Sequence, residues 1–397
     1  MNFYLLSLIK TAIVVAVLMH TLAYLQWIER KVIAHVQLRV GPRRVGPHGL
    51  LQPLADVIKL ITKEGMLPSH VSTIFYLLAP FIAVTFALIS IAVIPFGPVI
   101  EVGGVRTGME LTDLDIGVLF ILAISGLGVY GVALAGWSSN NKYSLLGGLR
   151  SSAQMISYEL PMALAIAAPL LIFNTLNFRE IVAKQGFYYA KFIPNWGIFH
   201  SPFPQILAFL VFLIAAFAET NRVPFDLPEA ENELVAGFHT EYSSMKFAAF
   251  FMAEYANMVT VSCVATLLFL GGWQPPFPAE YGSKYIPSLV HAAAGLLCFY
   301  HAANPARPLD RITLPVFGVL SLGIAGLFLI PAVQPILLPL FWFGAKTGAI
   351  LFLFIWVRAT LPRFRYDQLM KFAWLFLFPL GMLNLLATGL AVALTAK

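Results

Sequence analysis

Six carboxylates, Glu219, Asp226, Glu229, Glu231, Glu233 and Glu241, fall in the stretch ETNRVPFDLPEAENELVAGFHTEY, residues 219–242, with one cation, Arg222, among them. Long apolar runs flank the stretch on both sides. Carboxylates beside a bilayer are costly, and they mark proton relays, ion paths or docking sites. Glu229 and Glu233 stand four apart, so on a helix they share a face while Glu231 points away. Like charges so placed raise each other's pKa. Pro224 and Pro228 break up the entry, and Asp226 could cap a helix that Pro228 opens. The simpler alternative is a solvated acidic loop. Against it stand the flanking spans and the apolar neighbours Leu227, Leu234, Val235 and Phe238.

Other acids lie inside or at the edge of apolar runs. Glu159 sits in ISYELPMALAIAAPLL, Glu254 in FFMAEYANMVTVS, and Glu219 closes LVFLIAAFAE. An ionised acid at a helix centre costs roughly 2.5–3.5 kcal/mol on insertion scales. Burial raises a carboxyl pKa and a nearby arginine lowers it, so such groups can exchange protons near neutral pH. Tyr158 and Tyr255 each neighbour one of these acids and could extend a hydrogen-bonded chain. The plainer reading of each is a buried acid satisfied by a partner. His20, His291 and His301 have no metal-ligand spacing, and Cys263 and Cys298 lie far apart with no CxxC, so neither a disulfide framework nor a metal cluster is expected.

The elements that must hold these acids are membrane spans. Of 397 residues, 59% are hydrophobic and only 11% charged. A soluble domain averages about 25% charged residues, so the composition predicts an all-α polytopic membrane protein. The net charge of +6 follows topology and is not a nucleic-acid signal. Spans are expected at about 3–28, 72–95, 114–137, 157–173, 205–219, 247–270, 337–358 and 372–393, against the ~20 residues that cross a bilayer. The two shortest, 157–173 and 205–219, must extend into their flanks or sit in a protected interior. The first span has no basic region ahead of it, and positive charge follows it, which places the N-terminus outside.

Two more apolar runs, about 286–303 and 313–333, flank NPARPLDR. With ten spans, 17 of the lysines and arginines lie inside and 6 outside. That bias requires an even number of extra crossings and favours two.

The first inside loop, 29–71, has structure of its own. Leu50, Leu51, Leu54, Val57, Ile58 and Ile61 recur at helical spacing, opposite Gln52, Asp56, Lys59, Lys63 and Glu64. This predicts an amphipathic helix in the headgroup plane or against a neighbouring subunit. GPRRVGP ahead of it lacks the lysine and hydroxyl of a phosphate-binding loop. Its arginines either hold carboxylates or simply set topology.

Four segments carry a resemblance: ERKVIAHVQLRVGPRRVGPHGLLQPLADVIKLITKE (29–64), SLLGGLRSSAQMISYEL (144–160), AETNRVPFDLPEAENELVAGFHTEYSSMKFAAFFMAEYAN (218–257) and RATLPRFRYDQLM (358–370). In order and over nearly the whole chain, the sequence resembles the family of H-type membrane subunits (subunit 1 in mitochondria) of proton-pumping NADH:quinone oxidoreductase, respiratory complex I. The resemblance leaves out about 275–335, where that family goes directly from its sixth span to its seventh. PEAENEL also departs from the family's usual pattern.

The resemblance implies eight transmembrane helices, here with a two-helix insertion at 275–335. Inside loops, including 220–246, would form part of a quinone chamber with peripheral iron–sulfur subunits. Proton coupling would run through Glu219, Glu229, Glu231 and Glu233, then Glu159 and Glu254. Arg222 and Asp226 belong to the same loop motif, and Glu29, Arg30, Arg39 and Asp56 match a first-loop motif at the chamber entrance. Quinone is the implied substrate. No cofactor is bound by this chain, since NADH, FMN and the iron–sulfur clusters act in partner subunits. The remaining implied partners are other membrane-arm subunits and the lipid of a bacterial inner membrane. Two alternatives stay open. One is the matching subunit of a membrane-bound hydrogenase or ferredoxin-linked complex. The other is a secondary transporter, which would need internal repeats that the chain does not display.

Overall fold

The computed structural model describes residues 3–102, 104–189, 191–226, 235–305 and 308–395. Thirteen α-helices carry nearly all regular structure among these residues. They are α1 (Phe3–Val36), α2 (Gln52–Thr62), α3 (Thr73–Ile89), α4 (Gly117–Ser138), α5 (Lys142–Phe173), α6 (Phe178–Lys184) and α7 (Ile206–Glu219), followed by α8 (Ser244–Phe269), α9 (Ile286–Ala303), α10 (Asp310–Leu327), α11 (Gln334–Thr360), α12 (Tyr366–Phe372) and α13 (Phe378–Thr395). Nine helical stretches among the described residues are long and apolar enough to cross a membrane, and α7 is a shorter apolar helix. Helices suit this role because each satisfies its backbone groups internally, away from water.

Several boundaries differ from the sequence expectation. The first span continues through Val36, so Glu29 and Arg30 lie on α1 and not in a loop. Charges do not stop a helix. The break comes where Gly41 and Pro42 follow, beyond the last turn. The segment 138–156, expected as an inside loop, is mostly the first half of α5. Its glycines and serines lower the hydropathy without breaking the helix. They serve close packing instead: a Cβ on Gly136 of α4 would stand 2.9 Å from the Gly148 Cα of α5. Small residues at such crossings let two membrane helices approach backbone to backbone.

Helices α3, α4, α5, α7, α8 and α11 enclose the core, with Tyr76, Tyr158, Phe212, Phe250, Phe269 and Phe354 wholly buried. Helix α7 has only 14 residues, about 21 Å at 1.5 Å per residue, and most of its side chains are buried by neighbours. This is the protected interior that the short run required. At the end of the bundle away from Glu29, Lys346 of α11 is buried. It donates to the carbonyls of Gly272 (2.9 Å) and Gln274 (2.6 Å), and its ammonium lies 4.1 Å from the Trp196 ring centroid. A cation is thus matched to the carbonyl-rich turn after α8.

Helices α9 and α10 pack on each other as a hairpin on the outside of the bundle. Their turn reaches the loop after α1: His48 Nε2 lies 3.1 Å from Thr313 Oγ1 and 3.4 Å from Asp310 Oδ1. The hairpin turn therefore sits at the same end of the bundle as the 37–51 loop. At the other end of the hairpin, His291 and Phe328 pack on Phe341 of α11.

Candidate functional site: a buried carboxylate path

Glu219 is the last residue of α7, and it is buried. Gln154 of α5 sets its position. The amide Nε2 donates to the carbonyls of Ala218 (2.7 Å) and Phe225 (2.7 Å) and approaches Asn221 Oδ1 at 3.2 Å. The first bond satisfies a carbonyl that the helix end leaves open, and the second holds the loop beyond it. Two small cavities, about 30 Å³ and 20 Å³, meet at Glu219. Ser125 of α4 and Asn257 of α8 also line both. Roughly 10–15 Å³ suffices for one water, so each has room for one or two.

Glu254 lines the larger cavity, and Thr260 and Ser90 line the smaller, where their hydroxyls lie 3.1 Å apart. Glu254, Asn257 and Thr260 are spaced by three along α8, so they share its inward face. Glu159 of α5 is half-buried and close enough to Glu219 for their charges to interact. Gly126 makes this possible: a Cβ there would stand 2.8 Å from Glu159 Oε1. The structure thus brings together Glu159, Glu219 and Glu254.

A second cluster sits at the C-terminal end of α1. Glu29 is buried and accepts from Tyr255 Oη of α8 at 2.8 Å. Arg358 of α11 pairs with it, and Arg222 Nη1 lies 3.5 Å from Glu29 Oε1. The Arg222 guanidinium also stacks 4.1 Å from the Tyr255 ring. Arg363 Nη2 holds Asp226 Oδ2 at 2.8 Å, Phe364 N donates to Pro224 O at 3.0 Å, and Phe225 stacks on Phe364. The segment 220–226 is thereby clamped to the 361–365 loop.

Arg30 pairs with Asp56 at 2.8 Å, and Gln52 donates to the same carboxylate at 2.9 Å, which fixes α2 against α1. Leu51, Leu54, Val57, Ile58 and Ile61 remain exposed on the far side, as an amphipathic helix facing lipid or a partner requires.

Some expected residues fall elsewhere. Glu229, Glu231 and Glu233, with the Pro228 helix start, lie outside the described residues, and Asp226 is bound to Arg363. Arg39 is exposed and donates to Gln37 at 2.7 Å, apart from the Glu29 cluster. Glu241 accepts from Asn141 at 2.7 Å, while its carbonyl takes the Tyr76 hydroxyl at 2.6 Å, so it serves packing. Tyr158 does not extend a chain from Glu159: its hydroxyl donates to Leu369 O at 2.9 Å. Tyr255 turns from Glu254 to Glu29. Sequence reasoning missed Gln154, Asn257, Ser125, Arg358 and Arg363. The two arginines stand in RATLPRFRYDQLM, which served for topology and for the family resemblance without giving either of them a site role.

Fold and site together define an all-α polytopic membrane protein with carboxylates gathered around small buried cavities and a second charged cluster at the end of α1. The family profile described as NADH dehydrogenase matches residues 9–389, and the chain belongs to that family. It is 69% identical to H subunit 1 of the NADH-quinone oxidoreductase of Solibacter usitatus, covering 100% of this chain and 99% of that protein. It is 48% identical to H subunit 2 of the NADH-quinone oxidoreductase of Koribacter versatilis, over 99% of this chain and 98% of that one. With the NADH-quinone oxidoreductase H subunit of Protochlamydia amoebophila it shares 45% identity over 92% of this chain and 91% of the relative.

Proposed function

We propose that this chain is the membrane subunit of a proton-translocating NADH:quinone oxidoreductase that helps form the quinone chamber. It converts quinone redox state into protonation changes along a chain of carboxylates. The observation that carries the reading is the water-sized cavity that Glu219 and Glu254 line together with Ser125 and Asn257. Quinone reduction takes up two electrons and two protons. The electrons come from an iron–sulfur cluster in a partner subunit, since NADH, FMN and the clusters belong to neighbouring chains. Protons move among Glu229, Glu231 and Glu233, then Glu219, Glu159 and Glu254. Neighbouring acids titrate as coupled groups, so a charge change at one end alters occupancy at the other.

Glu29, Arg222 and Asp226 shape the chamber side, with Arg30 and Asp56 holding α2, and Arg39 on the loop beyond. A cavity of about 380 Å³ opens between Trp27, Lys31, His48, Leu50, Leu314 and Phe317. Its apolar and aromatic walls suit a quinone tail, and the α9–α10 hairpin supplies two of them. The Glu29 end faces the interior of the cell, the N-terminus lies outside, and the membrane is the bacterial inner membrane. The partners are peripheral iron–sulfur subunits and other membrane-arm subunits.

The test is purification of the tagged chain from native membranes in mild detergent. The expected assembly contains iron–sulfur subunits and reduces quinone with NADH. An assembly that evolves hydrogen, or accepts electrons only from another donor, would overturn the quinone roles.

A further inference from the structure

A long apolar groove of about 530 Å³ runs along α1, remote from the carboxylate path. Leu6, Ile9, Ile13, Val17 and Thr21 line one side, a single helical face. Phe96, Val259 and Leu340 line the other. Ile13 and Val17 are more than half exposed, so the groove opens towards the bilayer. Lys10 is the one charged residue among the described residues that line it.

The position of Lys10 along α1 is informative. From Glu29 to Lys10 the helix rises about 28 Å at 1.5 Å per residue, close to the ~30 Å hydrocarbon core. With the Glu29 cluster at one boundary, Lys10 stands at the other. From Lys10 to Thr21 the rise is about 16 Å, which is one leaflet. The groove therefore has the depth of one acyl chain, with a cation at headgroup level.

Lys10 Nζ donates to Thr107 Oγ1 and to Gly108 O, each at 2.9 Å. An ammonium has three donors, so one remains for a phosphate oxygen. The nearby Arg179 is engaged by Glu110 and Asp113 and does not compete for that phosphate.

We propose that this groove binds an anionic phospholipid, one acyl chain lying along α1 and the phosphate against Lys10. The inference does not depend on the quinone reading. It is tested on the intact assembly in nanodiscs of phosphatidylcholine with a minor share of phosphatidylglycerol. Each lipid is supplied in turn with a photoreactive acyl chain. Labelling of the peptide spanning residues 10–21 is expected to be about fivefold stronger from phosphatidylglycerol, as one lysine facing an anionic headgroup implies. Lys10→Gln, which keeps a donor for Thr107, should remove that preference, and Lys10→Arg should keep it. Quinone reduction should be unchanged in both. Equal labelling by the two lipids in the wild-type assembly would overturn the proposal. So would absent labelling, or crosslinking of this face to a partner subunit. None of these outcomes requires a variant to fold.

Discussion

Glu29 illustrates what one carboxylate can organise. It is buried with a tyrosine hydroxyl and two arginines drawn from three other segments. Removing one partner of such a cluster leaves uncompensated buried charge. Glu29→Gln should therefore cost about 3 kcal/mol. Tyr255→Phe, which deletes one bond to a charged group, should cost about 1.5 kcal/mol. Thermal or denaturant unfolding of the detergent-solubilised assembly reads both, and the double variant should lose less than the sum. His239 gives a pH-dependent counterpart. It is buried among Phe247, Phe250 and Phe251, and this desolvation holds its imidazole pKa down at about 3. An unfolded histidine titrates near 6.5. The unfolded chain thus takes up a proton that the folded one refuses, and stability falls as pH drops from about 6.5 towards 3. Between pH 7.5 and 5.5 this residue should remove about 1.4 kcal/mol. His239→Phe should flatten that part of the stability–pH curve, and an unchanged slope would rule the assignment out. Arginine partnership was not legible at this scale. Arg358 lies 329 residues from Glu29 and Arg363 lies 137 from Asp226, so no local spacing connects them.

At the scale of elements, glycines set how closely α4 and α5 approach. A Cβ on Gly136 would meet Ser144 O at 2.7 Å, and that backbone cannot step aside. Gly136→Ala should lower stability by about 1–3 kcal/mol and reduce the amount of assembled complex. Gly128→Ala on the same helix, with nothing within 4 Å of the added carbon, is the matched control and should be neutral. The α9–α10 hairpin gives a second prediction. A cysteine at the exposed Asn304 should be labelled only from the membrane side that labels one at Arg43. Labelling from opposite sides would show that the hairpin does not cross twice. Hydropathy found the spans because lipid-facing and core-facing side chains are both apolar. It misplaced the ends of α1 and the start of α5 because charged and small residues there remain helical, one set for a buried cluster and the other for close packing.

For the whole molecule, the sequence made two things legible: the membrane class, from the scarcity of charge, and three of the acids, from their position in apolar runs. It did not reveal that the two cavities meet at Glu219, since that depends on Gln154 holding the end of α7 and on residues from six helices. Cavities that bring together side chains from several helices are a property of the folded bundle, and no window of sequence contains them. The central claim is that protonation of Glu219 couples quinone reduction to proton translocation. Its most direct test is Glu219→Gln in the assembly reconstituted into vesicles, with NADH-driven quinone reduction and proton uptake measured together. The account predicts that both fall about tenfold or more, as loss of a positioned proton-transfer group implies, while NADH oxidation by a soluble artificial acceptor is unchanged. Normal rates of both quinone reduction and proton uptake in that variant would contradict it.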